Sequence, residues 1–409
     1  MAYSWKRNLL VLWIGTFLVS TAYSVSIPFL SIFLQNDLGV HDHLEAWTGT
    51  IFALTFLSSS LIAPFWGSMA DKYGRKLMML RAGFCLSLSY FLYFLVQNPY
   101  ELIAVRILEG LLAGYIPSAI ALVATNTPEK HVGYALGIIS TASATASILG
   151  PLMGGFISHL IGPRDTFFVA GMLVLAAFLI ALLGVKEPSF NKTGAKRSSV
   201  AHDLKAALSN RNLMLTLGTV FITSTSIMIL EPLLTIYVLK LGSDPSTASM
   251  HAGIIFSAVG IATLIAAPNW GKIGGRIGYE KVLFIGLLGG GIGNLLQVWF
   301  HSLIGFGTLR FAYGLFFAGV FPALNALIAK HTEPGFRSRA FSLNQSANQM
   351  GLLLGPLIGG FMATQLSIPF VFAINGGLLL FVGFLLKVPR FSLGASRPQA
   401  KKGPHSTSL

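Results

Sequence analysis

Long apolar runs separated by short polar connections set the pattern of this chain. Twelve such runs begin near Leu9, Trp47, Leu77, Glu101, Tyr134, Thr166, Leu213, His251, Val282, Leu303, Ala340 and Ile368. Each approaches the roughly 20 apolar residues that a helix needs to cross a bilayer. The pattern predicts an all-α membrane protein of twelve transmembrane helices. Only the connection after the sixth run is long. It divides the chain into a six-helix half at 1–185, a linker at 186–212, a second six-helix half at 213–386 and a basic tail at 387–409. The halves repeat one another. Ala63-Pro64-Phe65-Trp66-Gly67 returns half a chain length later as Ala267-Pro268-Asn269-Trp270-Gly271, and Gly150-Pro151-Leu152-Met153-Gly154-Gly155 returns as Gly355-Pro356-Leu357-Ile358-Gly359-Gly360. Two similar membrane halves place a pathway at their interface, because rocking one against the other opens a central site to alternate sides. Lys6 and Arg7 precede the first run as in a signal peptide, but the run continues to Leu34. That exceeds the signal-peptide core of about 7–15 residues, so it reads as a retained first helix.

Composition agrees: 54% of residues are hydrophobic and 10% charged, against about 25% charged in a soluble domain. A net charge of +14 raises the question of nucleic acid, and its distribution answers it. With the N-terminus in the cytoplasm, every Lys and Arg except Arg106, Arg164, Lys240 and Arg310 falls on a cytoplasmic segment. This is the positive-inside pattern, with both termini cytoplasmic. It accounts for the charge without a nucleic-acid partner and leaves attraction to anionic lipid headgroups. Cys85 is the sole cysteine, so no internal disulfide forms. His41-Asp42-His43 sits in a short outer loop and reads as hydrated loop rather than a metal site. Gly289-Gly290-Gly291-Ile292-Gly293 lacks the Lys-Ser/Thr of a phosphate-binding loop and reads as helix packing. No Walker sequence occurs, so ATP hydrolysis is not expected; the chain reads as a non-enzyme with no cofactor other than protons as the coupling ion. Residues 201–208 read as an amphipathic surface helix or a plain tether.

Several motifs carry chemistry. After the second run comes Gly67-Ser68-Met69-Ala70-Asp71-Lys72-Tyr73-Gly74-Arg75-Lys76. Glycine permits the tight turn, and Asp beside Arg and Lys can make charge-assisted hydrogen bonds across the cytoplasmic face. In the fourth run, Arg106, Glu109, Gly110, Ala113 and Pro117 share one face at helical spacing. A membrane-embedded Arg needs a partner or water and is functional by default. Glu109 reads either as its intrahelical partner or as a proton carrier. The fifth run holds Gly137 and then Gly150, Pro151, Gly154 and Gly155, a kinked and closely packing pattern.

These segments resemble the major facilitator superfamily. With Trp5 to Leu9, Ser24 to Phe29, Pro117 to Ala124 and Phe341 to Gln345, they resemble its twelve-helix bacterial drug exporters of the fluoroquinolone or fosfomycin type. The resemblance implies a monomeric drug:proton antiporter in a bacterial inner membrane. Gly67, Asp71, Gly74 and Arg75 would form a cytoplasmic latch, whose second copy is degraded to Gly275 and Tyr279. Arg106 would take part in proton coupling, and the Gly137 to Gly155 motif would mark an exporter. A sugar or metabolite transporter on the same fold, or a non-transporting membrane sensor, remains the alternative.

Glu231, followed by Pro232 in the seventh run, stands where its symmetry mate is Ile27. It lies about 12 Å inward from the outer end of its helix, at 1.5 Å per residue. It reads as a proton carrier or a counter-charge for a cationic drug, or as half of a static ion pair with Arg310. A broad apolar pocket is expected from Tyr23, Phe29, Phe33, Tyr115, Tyr237, Tyr313 and Phe317. Asn344, Gln345, Asn348 and Gln349 would supply its polar wall, a lining suited to varied lipophilic drugs.

Overall fold

The computed structural model describes residues 5–128, 131–188, 209–333 and 336–388, apart from the side chains at 71, 133, 337 and 338. The described residues are helical and contain no strand. The first half runs α1 (Trp5–Val25), α2 (Leu30–Asn36), α3 (Leu44–Tyr73), α4 (Arg75–Leu95), α5 (Pro99–Leu112), α6 (Tyr115–Asn126), α7 (Val132–Ile161) and α8 (Pro163–Gly184). The second runs α9 (Arg211–Lys240), α10 (Ala248–Ile277), α11 (Tyr279–Leu296), α12 (Leu303–Phe317), α13 (Val320–Lys330), α14 (Arg337–Gln365) and α15 (Ile368–Leu385). Every expected run thus becomes helix within a few residues of its predicted start. The linker and tail lie almost wholly outside the described residues, and so does the segment 201–208.

The described residues hold 11 segments long and apolar enough to cross a membrane, where the hydrophobic pattern predicts twelve. The remaining long helix is α14, of 29 residues. The side chains of Asn344, Gln345, Ser346, Asn348 and Gln349 keep it too polar to qualify by composition. Two predicted single helices are broken. The first run divides at Pro28, between α1 and α2, where proline removes a backbone donor. The fourth divides at Gly114, with φ +134°, a conformation open to glycine. Pro117 therefore belongs to α6 and does not continue the face that carries Arg106.

Internal symmetry extends to single hydrogen bonds. Trp66 donates its indole N–H to the Leu111 carbonyl at 2.7 Å, and Trp270 donates to the Leu315 carbonyl at 2.7 Å. Gly74 and Gly278 both turn the chain at positive φ, +101° and +96°. One apolar core fills the first half and continues into the second through Ile229, Leu230, Leu233 and Leu234. A separate core around Leu283, Tyr313, Phe317 and Leu324 holds the rest of the second half.

Candidate functional site

The halves meet tightly at one end of the bundle and part at the other. The tight end lies opposite the basic turns that carry Lys72, Lys76, Lys272 and Lys281. There α7 of the first half lies on α10 of the second. A Cβ on Gly253 would run into the Pro151 carbonyl and come within 3.2 Å of Gly155 Cα. The symmetry-related seam joins α14 to α3, where a Cβ on Gly49 would run into the Pro356 carbonyl and come within 3.1 Å of Gly360 Cα. Contacts this close between backbones require glycine on both faces. Polar links cross the interface at the same end. Ser158 donates to Ser249 at 3.3 Å, Ser257 to the Ile148 carbonyl at 2.6 Å, and Ser31 to the Pro232 carbonyl at 3.4 Å. His159 lies 2.6 Å from the Ser246 carbonyl, and Lys240 pairs with Glu45 at 3.1 Å.

The repeated glycine-proline motif is therefore divided by function. Pro151 and Gly155 face the other half, while Gly150 and Gly154 face α1, where added Cβ atoms would strike Ser24 and Val25. Gly137 does not share this role: a Cβ there would meet nothing within 4 Å, because it lies toward the basic end, where α7 stands clear.

At that end the halves enclose a cavity of about 810 Å³. Its walls are largely apolar, with Val19, Phe56, Ile62, Leu86, Ile116 and Leu353. Polar residues among the lining are Tyr23, Thr55, Ser59, Ser60, Trp66, Tyr90, Tyr115, Ser118, Gln345, Ser346 and Gln349, with Glu109 as the carboxyl group. Gly67 and Arg75 border it. The Arg75 and Lys76 amides, which open α4, are capped by the Glu187 carboxylate at 3.1 and 2.9 Å. Sequence reasoning did not find this cap, because nothing local pairs residues so far apart. The side chain of Asp71 lies outside the described residues.

Of the expected pocket residues, Tyr23, Gln345 and Gln349 line the cavity, and Tyr115 borders it with its side chain buried and its hydroxyl toward the Ala177 carbonyl. The others belong elsewhere. Phe29 and Phe33 are fully buried and meet Phe167 edge-on at 5.0 and 5.2 Å. Tyr237 packs on Phe306 and Phe372 at 5.0 and 5.4 Å. Tyr313 and Phe317 stack at 5.0 Å within the second-half core. Asn348 accepts from Ser224 at 2.6 Å, and Asn344 turns toward Asn325 at 3.4 Å. The physical reason is common to all: an aromatic or amide on an amphipathic membrane helix packs against its neighbours wherever they are close, and hydropathy does not mark which helix face is left uncovered.

The embedded charges form two clusters. In the first half Arg106 and Glu109, 2% and 4% exposed, pair at 3.0 Å, so the intrahelical partnership is real. Tyr93 donates to the same carboxylate oxygen at 2.5 Å, a contact with no signature in the sequence. In the second half Glu231 and Arg310 lie close enough to feel each other's charge, but no ion pair joins them within 4.0 Å. The static pair read from the sequence is absent. Arg310 instead lies over the Tyr313 ring at 5.1 Å, with its Nε buried and unpartnered.

Comparison with known proteins adds to this geometry. The family model described as Major Facilitator Superfamily matches residues 12–251 and 216–408. Multidrug resistance protein MdtG of Proteus mirabilis (strain HI4320) is 37% identical over 382 residues, 92% of this chain and 94% of that protein. The protein of the same name from Klebsiella pneumoniae (strain 342) is 36% identical over 406 residues, 97% of each chain. Among solved structures, the nucleoside transporter NupG superposes with a TM-score of 0.78 at 16% identity, covering 92% of this chain and 97% of that one. A bacterial homologue of the human lysosomal transporter Spinster, in an inward-facing and unoccupied conformation, superposes with a TM-score of 0.75 at 16% identity, covering 96% and 97%.

Proposed function

The chain belongs to the major facilitator superfamily, and we propose that it is a proton-coupled exporter of lipophilic, often cationic or zwitterionic drugs. The observation that carries this reading is the single-ended cavity, closed at one end by the paired glycine seams, in a chain whose relatives are named for multidrug resistance. The basic turns place the open end in the cytoplasm by the positive-inside rule. On that orientation twelve helices cross a bacterial inner membrane, both termini are cytoplasmic, and the state described is inward-open. A volume of about 810 Å³ falls within the range of small-molecule sites.

Drug enters from the cytoplasm between apolar walls that impose little directional demand. Export follows when the halves rock, parting the α7–α10 and α3–α14 seams and closing the basic end. The turn with Gly67, Asp71, Gly74 and Arg75 latches that closed end. Protons provide the driving force, through Glu109 with Arg106 in the first half and Glu231 with Arg310 in the second. Glu231 sits directly beside Pro232, whose carbonyl takes the Ser31 hydrogen bond across the seal. Its charge state is thereby placed next to the contact that must break. The protein acts as a monomer, since both gates and the cavity lie within one chain.

Ethidium accumulation in cells tests the reading. Expression lowers accumulation, and a protonophore abolishes the difference. Efflux that persists unchanged once the gradient has collapsed refutes proton coupling.

A further inference from the structure

We propose that the cavity has a second entrance, a side portal between α3 and α14 that opens to the cytoplasmic leaflet and admits lipophilic amphiphilic drugs dissolved there. The proposal rests on the export reading above and deepens it by naming where the substrates come from.

The two seams that seal the outer end differ farther in. At the α7–α10 seam the helices stay together. A Cβ on Gly260 would come within 2.6 Å of the Ile148 side chain and 3.3 Å of its Cα, and Ser257 donates to the Ile148 carbonyl at 2.6 Å. The repeat puts Phe56 where the second half has Gly260, Ala53 where it has Ser257, and Leu353 where the first half has Ile148. A phenyl ring cannot take the close helix approach that glycine permits, and alanine has no hydroxyl to donate. The α3–α14 seam therefore lacks both devices at this level. The Phe56 ring stands edge-on to Tyr23 at 6.4 Å. Phe56 and Leu353 both line the cavity, whereas among the described residues none of α7 or α10 does.

The cavity wall also runs into the lipid-facing surface on these two helices. On α3, Leu57, Leu61 and Pro64 share a face at helical spacing. All three are exposed, and Pro64 lines the cavity. On α14, Met350, Leu357 and Phe361 share a face. All three are exposed, and Met350 lines the cavity. Counted from Tyr73 and Arg337, the cytoplasmic ends of the helices, Pro64 and Met350 lie about 14 Å and about 20 Å deep at 1.5 Å per residue. With the helix ends among the headgroups, this is the cytoplasmic half of a hydrocarbon core about 30 Å thick.

The α14 side of the portal repeats the polarity of that leaflet. Gln345 and Ser346 stand exposed at the shallow end, with Met350 and Leu353 deeper. An amphiphile lying in the leaflet meets the same order, polar head outermost and apolar body within, so it can slide sideways without turning over. A cavity of about 810 Å³ suits a drug-sized molecule.

The test photolabels the purified full chain in nanodiscs made with phosphatidylcholine that carries a diazirine on one acyl chain, and maps the adducts by mass spectrometry. Adducts are expected on Phe56, Ser60 and Leu353 inside the cavity as well as on Leu61 and Phe361 outside it, with Ile148 and Gly260 unlabelled. The lipophilic cation trimethylammonium-diphenylhexatriene, which resides in the leaflet, is expected to abolish the cavity adducts and spare those on Leu61. Met350→Trp, which thickens the α14 rim, is expected to lose the cavity adducts and keep those on Leu61. Adducts confined to the lipid-facing positions, or equal labelling of Ile148, overturn the portal. Cavity adducts that the cation cannot displace show a resident lipid and overturn the drug entrance. Should Met350→Trp fail to insert, the wild-type adduct pattern with and without the cation decides alone. Wild-type liposomes that move no ethidium refute the export reading instead, and the adduct pattern still decides whether the portal exists.

Discussion

Gly253→Ala should open the outer end of the protein. The added methyl group would sit on the Pro151 carbonyl, with Pro151 C and Gly155 Cα both at 3.2 Å. All three are backbone atoms of α7, so no side chain can rotate away and the two helices must separate. Overpacking of this kind costs about 1–3 kcal/mol. On the proposed orientation the cost falls on the inward-open state alone, because α7 and α10 belong to different halves and would part when the outer end opens. A penalty of that size shifts the equilibrium roughly 5- to 150-fold toward the outward-open state. Electron-spin distance measurement reads this directly, with labels at His41 and Pro245, exposed positions on the outer loops of opposite halves, in a Cys85→Ser background. The distance distribution should move to longer values in Gly253→Ala and stay unchanged in Gly218→Ala, where a Cβ would meet nothing within 4 Å. Gly49→Ala, at the α3–α14 seam, should act in the same direction. A wild-type distribution in Gly253→Ala would refute the assignment of this seam as the outer gate.

The antiporter-type motif should divide by position. Gly154→Ala, pressed on the Val25 carbonyl, is expected to lower transport at least tenfold, while Gly137→Ala, facing open space, should transport normally; drug accumulation per amount of inserted protein distinguishes them. Glu231→Gln should weaken transport of cationic drugs or uncouple it from the proton gradient. Because no ion pair ties Glu231 to Arg310, adding Arg310→Gln should not restore activity, and full recovery in proteoliposomes would reinstate the static pair. Asp71→Asn should impair transport with membrane insertion intact, and Gly275→Asp in the degraded copy should matter less; equal exchange rates for Asp71→Asn and wild type would reduce the latch to a topogenic turn.

The sequence by itself determined the membrane fold and its pseudo-symmetry. Spanning a bilayer with every backbone group satisfied forces long apolar helices, so the hydrophobic pattern located the helices within a few residues of their starts, apart from the breaks at Pro28 and Gly114. Basic residues at one end set the expected orientation. Repetition of Trp66 as Trp270 and of Gly155 as Gly360 foretold matching contacts in the two halves, and both pairs make them. Arg106 and Glu109, one helical turn apart, were legible as partners because their contact is local.

Only the tertiary structure decided which side chains face the cavity. Tyr23 lines it while Phe29, Phe33, Tyr115 and Tyr237 are buried in the core, although nothing in composition separates these residues. The Tyr93 hydroxyl reaches Glu109 from a different helix, Glu187 caps α4 from the far end of α8, and Glu231 and Arg310 fall short of pairing. Each of these depends on the rotation of one helix about its own axis relative to its neighbour. Hydrophobic periodicity constrains that angle loosely where both faces are apolar, so packing against the other helices has to set it.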